Sequence, residues 1–157
     1  MAKGTPATIA LEKAGVAFTL HEYEYDSSAD SIGLQAAQAL GVDPARLLKT
    51  LMAKTSDNVV CVLAPSDKEV SLKKLAMAAG AKDAAMLKPT EAERISGYRV
   101  GGISPFGQKK RVGVFIEAAA MQHTTVIFNG GRRGLQIELP PGELVRLLDA
   151  KPVGLCA

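Results

Sequence analysis

Tryptophan is absent from this chain of 157 residues, and aromatic residues make up only 4% of it. A surface that stacks several successive nucleic-acid bases needs aromatic side chains, so the composition argues against one. The two cysteines, Cys61 and Cys156, lie far apart, and no C-x-x-C pair or histidine cluster accompanies them. We therefore expect no disulfide framework, no metal site and no cofactor. Cys61 lies in a V-V-C-V-L run, which predicts a small buried hydrophobic residue.

Long apolar runs are missing as well. Nothing approaches the roughly 20 apolar residues that span a bilayer, and the stretch Met1–Pro6 lacks the apolar core of a signal peptide. We expect a cytoplasmic protein without a membrane partner. No helix-turn-helix pattern or basic recognition helix is present, which argues against DNA as a partner.

Familiar catalytic motifs are also lacking. The chain has no H-E-x-x-H, no Walker A motif and no dinucleotide glycine fingerprint between a strand and a helix. The candidate bases are His21 and His123; His123 stands beside Thr124 at a predicted turn with no patterned acid near it, so a nucleophile–histidine–acid triad is not indicated. A lone histidine is more often structural or solvated than catalytic.

What is present suits a folded domain. Hydrophobic residues make up 47% of the chain, which is long enough for one domain with a real core, here residues 1–157. Strand patterns lie centrally, while helix patterns lie early, in the middle and at the end. This order differs from regular βαβ alternation and predicts an α+β fold: a mixed, strongly curved, barrel-like sheet flanked by helices.

Local signals predict the elements. Cap residues and glycine stops predict helices over residues 5–15, 31–41, 71–80, 88–97 and 140–149. Alternating or continuous apolar runs predict strands over 16–23, 47–53, 59–63, 112–117, 124–128 and 135–139, with 59–63 central. In the first of these strands we expect Val16, Phe18 and Leu20 to face the core, and Tyr23 to share the opposite face with His21. Residues 24–30 read as a loop.

The most informative segment is the glycine loop, Gly97–Arg111. It contains four glycines, one proline and four cations. Glycine permits positive φ and close backbone approach, so such a loop can present bare N–H groups to an anion or a polarised carbonyl. The alternative is a tight, β-bulged hairpin corner, which also needs glycine.

Two further features favour anions. Lys49 interrupts an apolar strand and is interpreted either as an edge-strand charge or snorkelling side chain, or as a cation that reaches into a pocket. Net charge is only +3, which is compatible with a phosphate-bearing partner without requiring one. Much of the basic charge is clustered, at Lys109, Lys110, Arg111, Arg132 and Arg133.

Three segments together resemble the YbaK-type aminoacyl-tRNA deacylases. They are K-T-L at Lys49–Leu51, G-Y-x-V-G-G-I-S-P-x-G-Q-K-K-R at Gly97–Arg111, and G-G-x-R-G-L-x-I-E-L at Gly130–Leu139. The match covers nearly the whole chain and includes T-P-A at Thr5–Ala7 and L-K-K at Leu72–Lys74. The family includes a free-standing Cys-tRNA(Pro) deacylase and relatives of the editing domain inserted in bacterial prolyl-tRNA synthetases. That synthetase mischarges small amino acids, since one methylene gives only about 1–3 kcal/mol of discrimination.

The resemblance implies a trans-editing deacylase that removes a small amino acid, cysteine above all, from tRNA(Pro) and also from tRNA(Cys). In cysteine-specific relatives the substrate thiolate attacks its own ester carbonyl, so no protein nucleophile is needed. It implies catalytic roles for Lys49 and for the backbone around Gly101, Gly102 and Ser104. It implies a substrate pocket and a tRNA-binding surface, with prolyl-tRNA synthetase as a partner in a ternary complex. The implied pocket residues are Tyr23, Ile32, Ile103, Pro105, Asn129, Gly130, Gly131 and Gln136. The implied tRNA-binding residues are Lys109, Lys110, Arg111, Arg132 and Arg133.

Three positions depart from the cysteine-specific pattern. Ile32 stands in place of phenylalanine, Asn129 in place of serine and Gln136 in place of aspartate. The last change removes a carboxylate that would meet the substrate ammonium. Deacylation of alanyl-, seryl- or threonyl-tRNA by water is therefore an alternative, as is a non-catalytic module that binds tRNA or a synthetase. A generic hydrolase or phosphate-binding protein is a third.

Overall fold

The computed structural model describes residues 4–25 and 32–157, apart from the side chains of Ile32 and Gly33. No helix within this part has the length and apolar character that crossing a bilayer requires. The elements are, in chain order, α1 Pro6–Lys13, β1 Thr19–Glu22, α2 Ile32–Leu40, β2 Leu48–Thr55, β3 Asn58–Pro65, α3 Leu72–Ala79, β4 Ala84–Met86, α4 Pro89–Ser96, β5 Gly113–Glu117, a 3-10 helix Ala118–Gln122, β6 Val126–Asn129, β7 Leu135–Leu139, α5 Pro141–Leu148 and β8 Lys151–Val153.

The helices begin and end where their cap residues predict. At α1 the Thr5 side chain accepts a hydrogen bond from the Thr8 amide, and a proline occupies the first turn. At α3 the Ser71 side chain accepts from the Lys74 amide, and the helix stops at Gly80 in the left-handed region. The cap predicted at residue 31, before α2, lies outside the described residues, as does the predicted loop from residue 26 onward.

The described strands form two sheets. Five strands lie in the order β4-β2-β3-β5-β8, with antiparallel pairs on the β4 and β2 side and parallel pairs on the β5 and β8 side. Three antiparallel strands lie in the order β1-β7-β6. Because β3 is central in the larger sheet, the prediction of a central strand at residues 59–63 is confirmed.

The prediction of a strongly curved, barrel-like sheet was wrong, although the mixed α+β class is correct. Neither sheet closes on itself within the described part of the chain. Within the described residues, backbone pairing joins the two sheets at one parallel bridge, between Leu47 and Ile127, where the Ile127 amide donates to the Arg46 carbonyl at 3.0 Å. Curvature and closure depend on long-range strand pairing, which local sequence patterns do not encode.

The core lies between the two sheets. Leu48, Cys61 and Ile116 on one face of the five-stranded sheet pack with Phe128 and Ile137 of the three-stranded sheet. Helix α3 covers the other face of the larger sheet, and α2 packs near the bridge between the sheets. Cys61 is fully buried, as predicted. Burial, partly offset by a hydrogen bond from Gln108, raises the pKa of its thiol to about 12.

The first strand departs from its predicted burial. It is shorter than predicted, and Leu20 is 41% exposed rather than part of the core. Strand β1 forms the outer edge of its sheet, so alternation alone does not decide which of its side chains are covered. On the opposite face His21 Nε2 lies 2.7 Å from Glu138 Oε1.

Candidate active site

A pocket of about 350 Å³ opens where β2, α4, the glycine loop and the ends of β6 and β7 come together. It brings together five of the predicted site residues, Lys49, Gly101, Ile103, Asn129 and Gln136. The bridge between Leu47 and Ile127 explains this arrangement. Lys49 and Asn129 lie two residues beyond the bridged pair on parallel chains, so they flank the same opening. The remaining lining residues are Leu47, Leu48, Thr50, Leu51, Leu87, Pro89, Ala92 and Val100.

Lys49 supplies the positive charge of this pocket. Its side chain is half-buried, and within the described part of the chain it makes no ion pair or hydrogen bond. In a mostly apolar wall the Lys49 ammonium loses part of its hydration without gaining a protein partner. An anionic group that enters the pocket can supply the hydrogen bonds and the opposite charge that the ammonium lacks. The charge of Lys49 also reaches the thiol of Cys156, although burial and Glu117 raise the pKa of that thiol to about 11.

The glycine loop enters the pocket through a tight turn. The Gly102 amide donates to the Arg99 carbonyl at 2.8 Å, and Gly101 takes a φ of +89°. A Cβ on Gly102 would lie 3.0 Å from the Arg132 Cα, so only glycine lets the loop approach the turn at residues 129–134 this closely. The amides of Gly101, Ile103 and Ser104 have no acceptor among the described residues. Of these three residues, Gly101 and Ile103 line the pocket, so their amides are donors that the loop can offer to a ligand there.

Asn129 joins the loop to the following turn. Its Nδ2 donates to the Gly101 carbonyl at 3.1 Å, and its Oδ1 accepts from the Gly131 amide at 2.7 Å. Both ends of the side-chain amide are thus occupied. Asn129 acts on the pocket mainly by fixing the position of Gly101.

Two of the four buried side-chain polar atoms that lack a hydrogen-bond partner among the described residues belong to the pocket lining. They are Thr50 Oγ1 and Gln136 Oε1. Tyr23 Oη lies beside Gln136 but outside the lining, and Gln108 belongs to the wall of a smaller cavity. Burial raises the pKa of Tyr23, and the neighbouring side chain of Gln136 partly offsets that effect. Since buried polar atoms are normally hydrogen-bonded, such a group of orphans indicates a polar ligand.

Other predicted residues lie apart from the pocket lining. Ser104 is fully buried, its Oγ faces the Phe106 amide at 3.4 Å, and its carbonyl accepts from Gln108 Nε2. Pro105 lines a different, smaller cavity. The Ile32 side chain lies outside the described residues. The predicted residues Gly130 and Gly131 belong to the turn beside the pocket; the Gly130 amide donates to the Leu135 carbonyl.

The basic residues divide into two groups. Arg132 pairs with Glu22 at 3.3 Å, and Arg133 bonds the Val100 carbonyl, so both arginines of the turn have partners within the chain. Lys110 and Arg111 instead line a separate cleft of about 490 Å³ beyond the C-terminal end of α4. The Lys109 amide donates to the carbonyl of Ser96, at the end of α4. Ala92 of α4 lines the pocket and Ile95 lines the cleft, so the two cavities lie along different turns of this helix.

Comparison with known proteins decides the family. Residues 27–147 match the aminoacyl-tRNA editing domain. The chain belongs to the aminoacyl-tRNA editing domain family. Over 133 residues it is 37% identical to EbsC of Enterococcus faecalis, covering 83% of this chain and 80% of that protein. EbsC carries the provisional name of a Cys-tRNA(Pro)/Cys-tRNA(Cys) deacylase.

One further curated protein and one solved structure are also similar to this chain. A proline–tRNA ligase of Caldicellulosiruptor bescii is 37% identical over 68 residues, which are 43% of this chain and 12% of the ligase. The crystal structure of a protein provisionally described as a trans-editing enzyme for prolyl-tRNA synthetase has a TM-score of 0.85. It is 22% identical, and the alignment covers 97% of this chain and 95% of that one. This second likeness establishes the fold.

Sequence patterns did not reveal most of the apolar wall of the editing domain's pocket. Leu87, Pro89 and Ala92 come from the start of α4 and the residue pair before it, where nothing but the helix signal marks them. The described residues contain no group of three or more histidine, cysteine or acidic side chains that could hold a metal ion.

Proposed function

We propose that this editing domain acts in trans as a deacylase that removes a small amino acid, cysteine first among them, from mischarged tRNA(Pro). The observation that carries the proposal is the combination found in one pocket of about 350 Å³: a Lys49 ammonium and a Gly101 amide, neither of which has a partner among the described residues. An aminoacyl ester develops negative charge on its carbonyl oxygen as it is cleaved, and fixed N–H donors stabilise that charge.

The pocket suits an aminoacylated ribose in size and polarity. Its volume lies at the small end of the range for ligand sites, about 300–1,000 Å³. Gln136 Oε1 is buried and has no hydrogen-bond partner in the described part of the chain, so it is a suitable acceptor for the substrate ammonium. Lys49 would hold the ester or a phosphate of the terminal nucleotide.

The chemistry needs no nucleophile from the protein. For a cysteinyl ester, the substrate thiolate attacks its own carbonyl carbon. A carbon–sulfur bond forms, the ester carbon–oxygen bond breaks, and the leaving ribose oxygen takes up a proton. Thr50 is the only residue of the described pocket lining that carries a hydroxyl or thiol, and no histidine or carboxylate accompanies it there. Positioning and oxyanion stabilisation are then the protein's contributions.

A second candidate follows from Gln136. This buried residue stands in place of the aspartate of the cysteine-specific pattern, so a water-dependent deacylase of alanyl-, seryl- or threonyl-tRNA is the alternative. The name of EbsC supports cysteine, whereas Gln136 supports the alternative. We propose that the tRNA acceptor end is the shared partner, with prolyl-tRNA synthetase as a further one.

The deciding experiment is a panel of cysteinyl, alanyl, seryl, threonyl and prolyl esters of tRNA(Pro), assayed with the wild type and Lys49→Ala. We expect the wild type to clear Cys-tRNA much faster than Ser-tRNA, since a hydroxyl is a far weaker nucleophile at neutral pH. Equal rates on the two would exclude attack by the substrate thiolate.

Lys49→Ala tests the site itself. We expect deacylation to fall by about 10²-fold or more, the order of loss seen when one electrostatic contact to a developing charge is removed. The matched control is Lys54→Ala, an exposed lysine on the same strand outside the pocket, which should retain the wild-type rate. If the wild type binds mischarged tRNA but releases no amino acid from any ester, the editing domain is a binding module and the proposal fails.

A further inference from the structure

An arginine grips the outer side of the glycine loop. Arg133 donates to the Val100 carbonyl oxygen twice, from Nε at 3.1 Å and from Nη2 at 2.8 Å. The same guanidinium lies over the ring of Tyr25, with Cζ 5.2 Å from the ring centroid. The Val100 carbonyl and the Tyr25 ring thus both hold the Arg133 side chain, to which the family resemblance assigns contact with tRNA phosphates.

The carbonyl that Arg133 binds belongs to the central peptide of a β-turn. The turn runs from Arg99 to Gly102, closed by the bond from the Gly102 amide to the Arg99 carbonyl. Gly101 has positive φ and Val100 does not, which makes this a type II turn. Types I and II differ by a flip of the peptide between the two central residues, here Val100–Gly101.

That peptide is trans, so its carbonyl and its N–H point in opposite directions. While the guanidinium of Arg133 holds the Val100 carbonyl, the Gly101 N–H must point to the other side. Val100 and Gly101 both line the pocket, and the Gly101 amide has no acceptor in the described part of the chain.

We propose that Arg133 is a positioning residue for the deacylation: it locks the Val100–Gly101 peptide in the orientation that presents the Gly101 amide to the substrate's carbonyl oxygen. A charged donor on the carbonyl also polarises the peptide and makes its N–H a stronger donor. This inference rests on the proposed function, and it gives Arg133 a task that a phosphate contact would not explain.

The two roles respond differently to lysine. A phosphate contact depends mainly on charge, which Arg133→Lys keeps, whereas a two-bond grip on one carbonyl depends on the planar fork, which lysine lacks. We expect Arg133→Lys to lower kcat by about 10- to 100-fold with KM for aminoacyl-tRNA changed less than twofold. That loss is somewhat below the 10²- to 10³-fold typical of removing an oxyanion donor, because the amide is loosened rather than deleted.

The matched control is Arg146→Lys. Arg146 also makes two bonds to one neighbour, Glu143, but on the exposed surface of α5 away from the pocket, so its variant should keep the wild-type kcat. A near-normal kcat for Arg133→Lys would overturn the proposal. So would a raised, salt-dependent KM with unchanged kcat, which would restore the phosphate role.

A second measurement does not depend on activity. In amide ¹H–¹⁵N spectra of the substrate-free protein, we expect Arg133→Lys to shift the Gly101 resonance and to change its hydrogen-exchange rate, while Arg146→Lys leaves both unchanged. An unmoved Gly101 resonance would refute the grip itself. If the wild type clears no ester in the panel, the proposed function fails, and the Gly101 resonance still reports whether Arg133 fixes the turn.

Discussion

Gly102→Ala tests how closely the glycine loop must approach the neighbouring turn. A Cβ at this position would lie 3.0 Å from Arg132 Cα, 3.1 Å from the Arg132 carbonyl carbon and 3.1 Å from the Arg133 nitrogen. All three are backbone atoms, so no flexible side chain can move aside. Gly102 does not have positive φ, and steric contact is therefore the whole of the objection to alanine.

The magnitude follows from that contact. To relieve it, loop and turn must separate by a few tenths of an ångström, and inserting a carbon into a tightly packed site costs about 1–3 kcal/mol. For a chain of this size 1 kcal/mol corresponds to about 2–4 °C, so we expect Tm to fall by roughly 2–12 °C. Activity should fall further, by about 10²-fold, because a small displacement of the Gly101 amide disturbs the alignment with the substrate.

The assay pairs thermal unfolding, followed by circular dichroism, with deacylation of the best ester in the panel. Gly142→Ala is the control: its added Cβ meets no atom within 4 Å and lies in the first turn of α5. That variant should match the wild type or gain up to about 1 kcal/mol in stability. The reasoning is refuted if Gly102→Ala keeps both the wild-type Tm and the wild-type rate.

Two further predictions concern strand β7. Gln136→Glu replaces a buried neutral acceptor by a carboxylate of the same shape. Because hydrogen bonds to charged groups are stronger than neutral ones by about 1 kcal/mol, KM for Cys-tRNA should fall about fivefold. N-acetyl-Cys-tRNA, which lacks the ammonium, should show no such gain. An equal gain on both esters would show that Gln136 does not meet the ammonium. The pKa of Glu138 is lowered, first by the hydrogen bond from Thr125, then by that of His21 and the charge of Arg46. Its stabilising contribution is therefore present above the unfolded pKa of about 4.3 and lost as pH falls through the folded value, so Tm of Glu138→Gln should vary less with pH in that acid range than Tm of the wild type. Parallel Tm curves for the two proteins would contradict this.

The helices could be predicted because their ends depend on residues that are close together in the sequence. A cap side chain bonds an amide three residues away, as at Thr5 and Ser71, and a glycine stop such as Gly80 needs only its own φ. These are contacts between near neighbours in the sequence, so the residue types alone fix the boundaries. The long strands β2, β3 and β5 were predicted for a similar reason, since continuous apolar runs mark buried strands.

The short edge strands could not be predicted. β4 and β8 have three residues each, and β8 contains a proline. They are strands only because β2 and β5 offer them unpaired edges, and that pairing is set by the register of distant segments. Proline is tolerated there because an edge strand needs fewer backbone donors.

Some features of the candidate site could be predicted from the sequence and others could not. Lys49 and the glycine loop stand out in the sequence, and one cavity contains both. The partner of Arg133 does not stand out, because the carbonyl that it grips belongs to Val100, a residue with no polar side chain. A backbone acceptor leaves no mark in the sequence, so a basic residue at a turn reads as a solvated or phosphate-binding charge.

The position of the pocket is a consequence of how the two sheets join. A continuous parallel ladder between β2 and β6 would fill the space beyond Leu47 and Ile127 with backbone hydrogen bonds and leave no room for a ligand. The described pairing between these two segments stops after one bridge: β2 pairs with β3, β6 pairs with β7, and Lys49 and Asn129 line the pocket just beyond the bridge. Both sheets therefore contribute walls to one small cavity, Lys49 and Leu51 from β2, Asn129 from β6 and Gln136 from β7. Asn129 holds the glycine loop at this cavity, since its Nδ2 donates a hydrogen bond to the Gly101 carbonyl. The interruption of the sheet thus creates both the cavity and the anchor for the loop that supplies its amide donors.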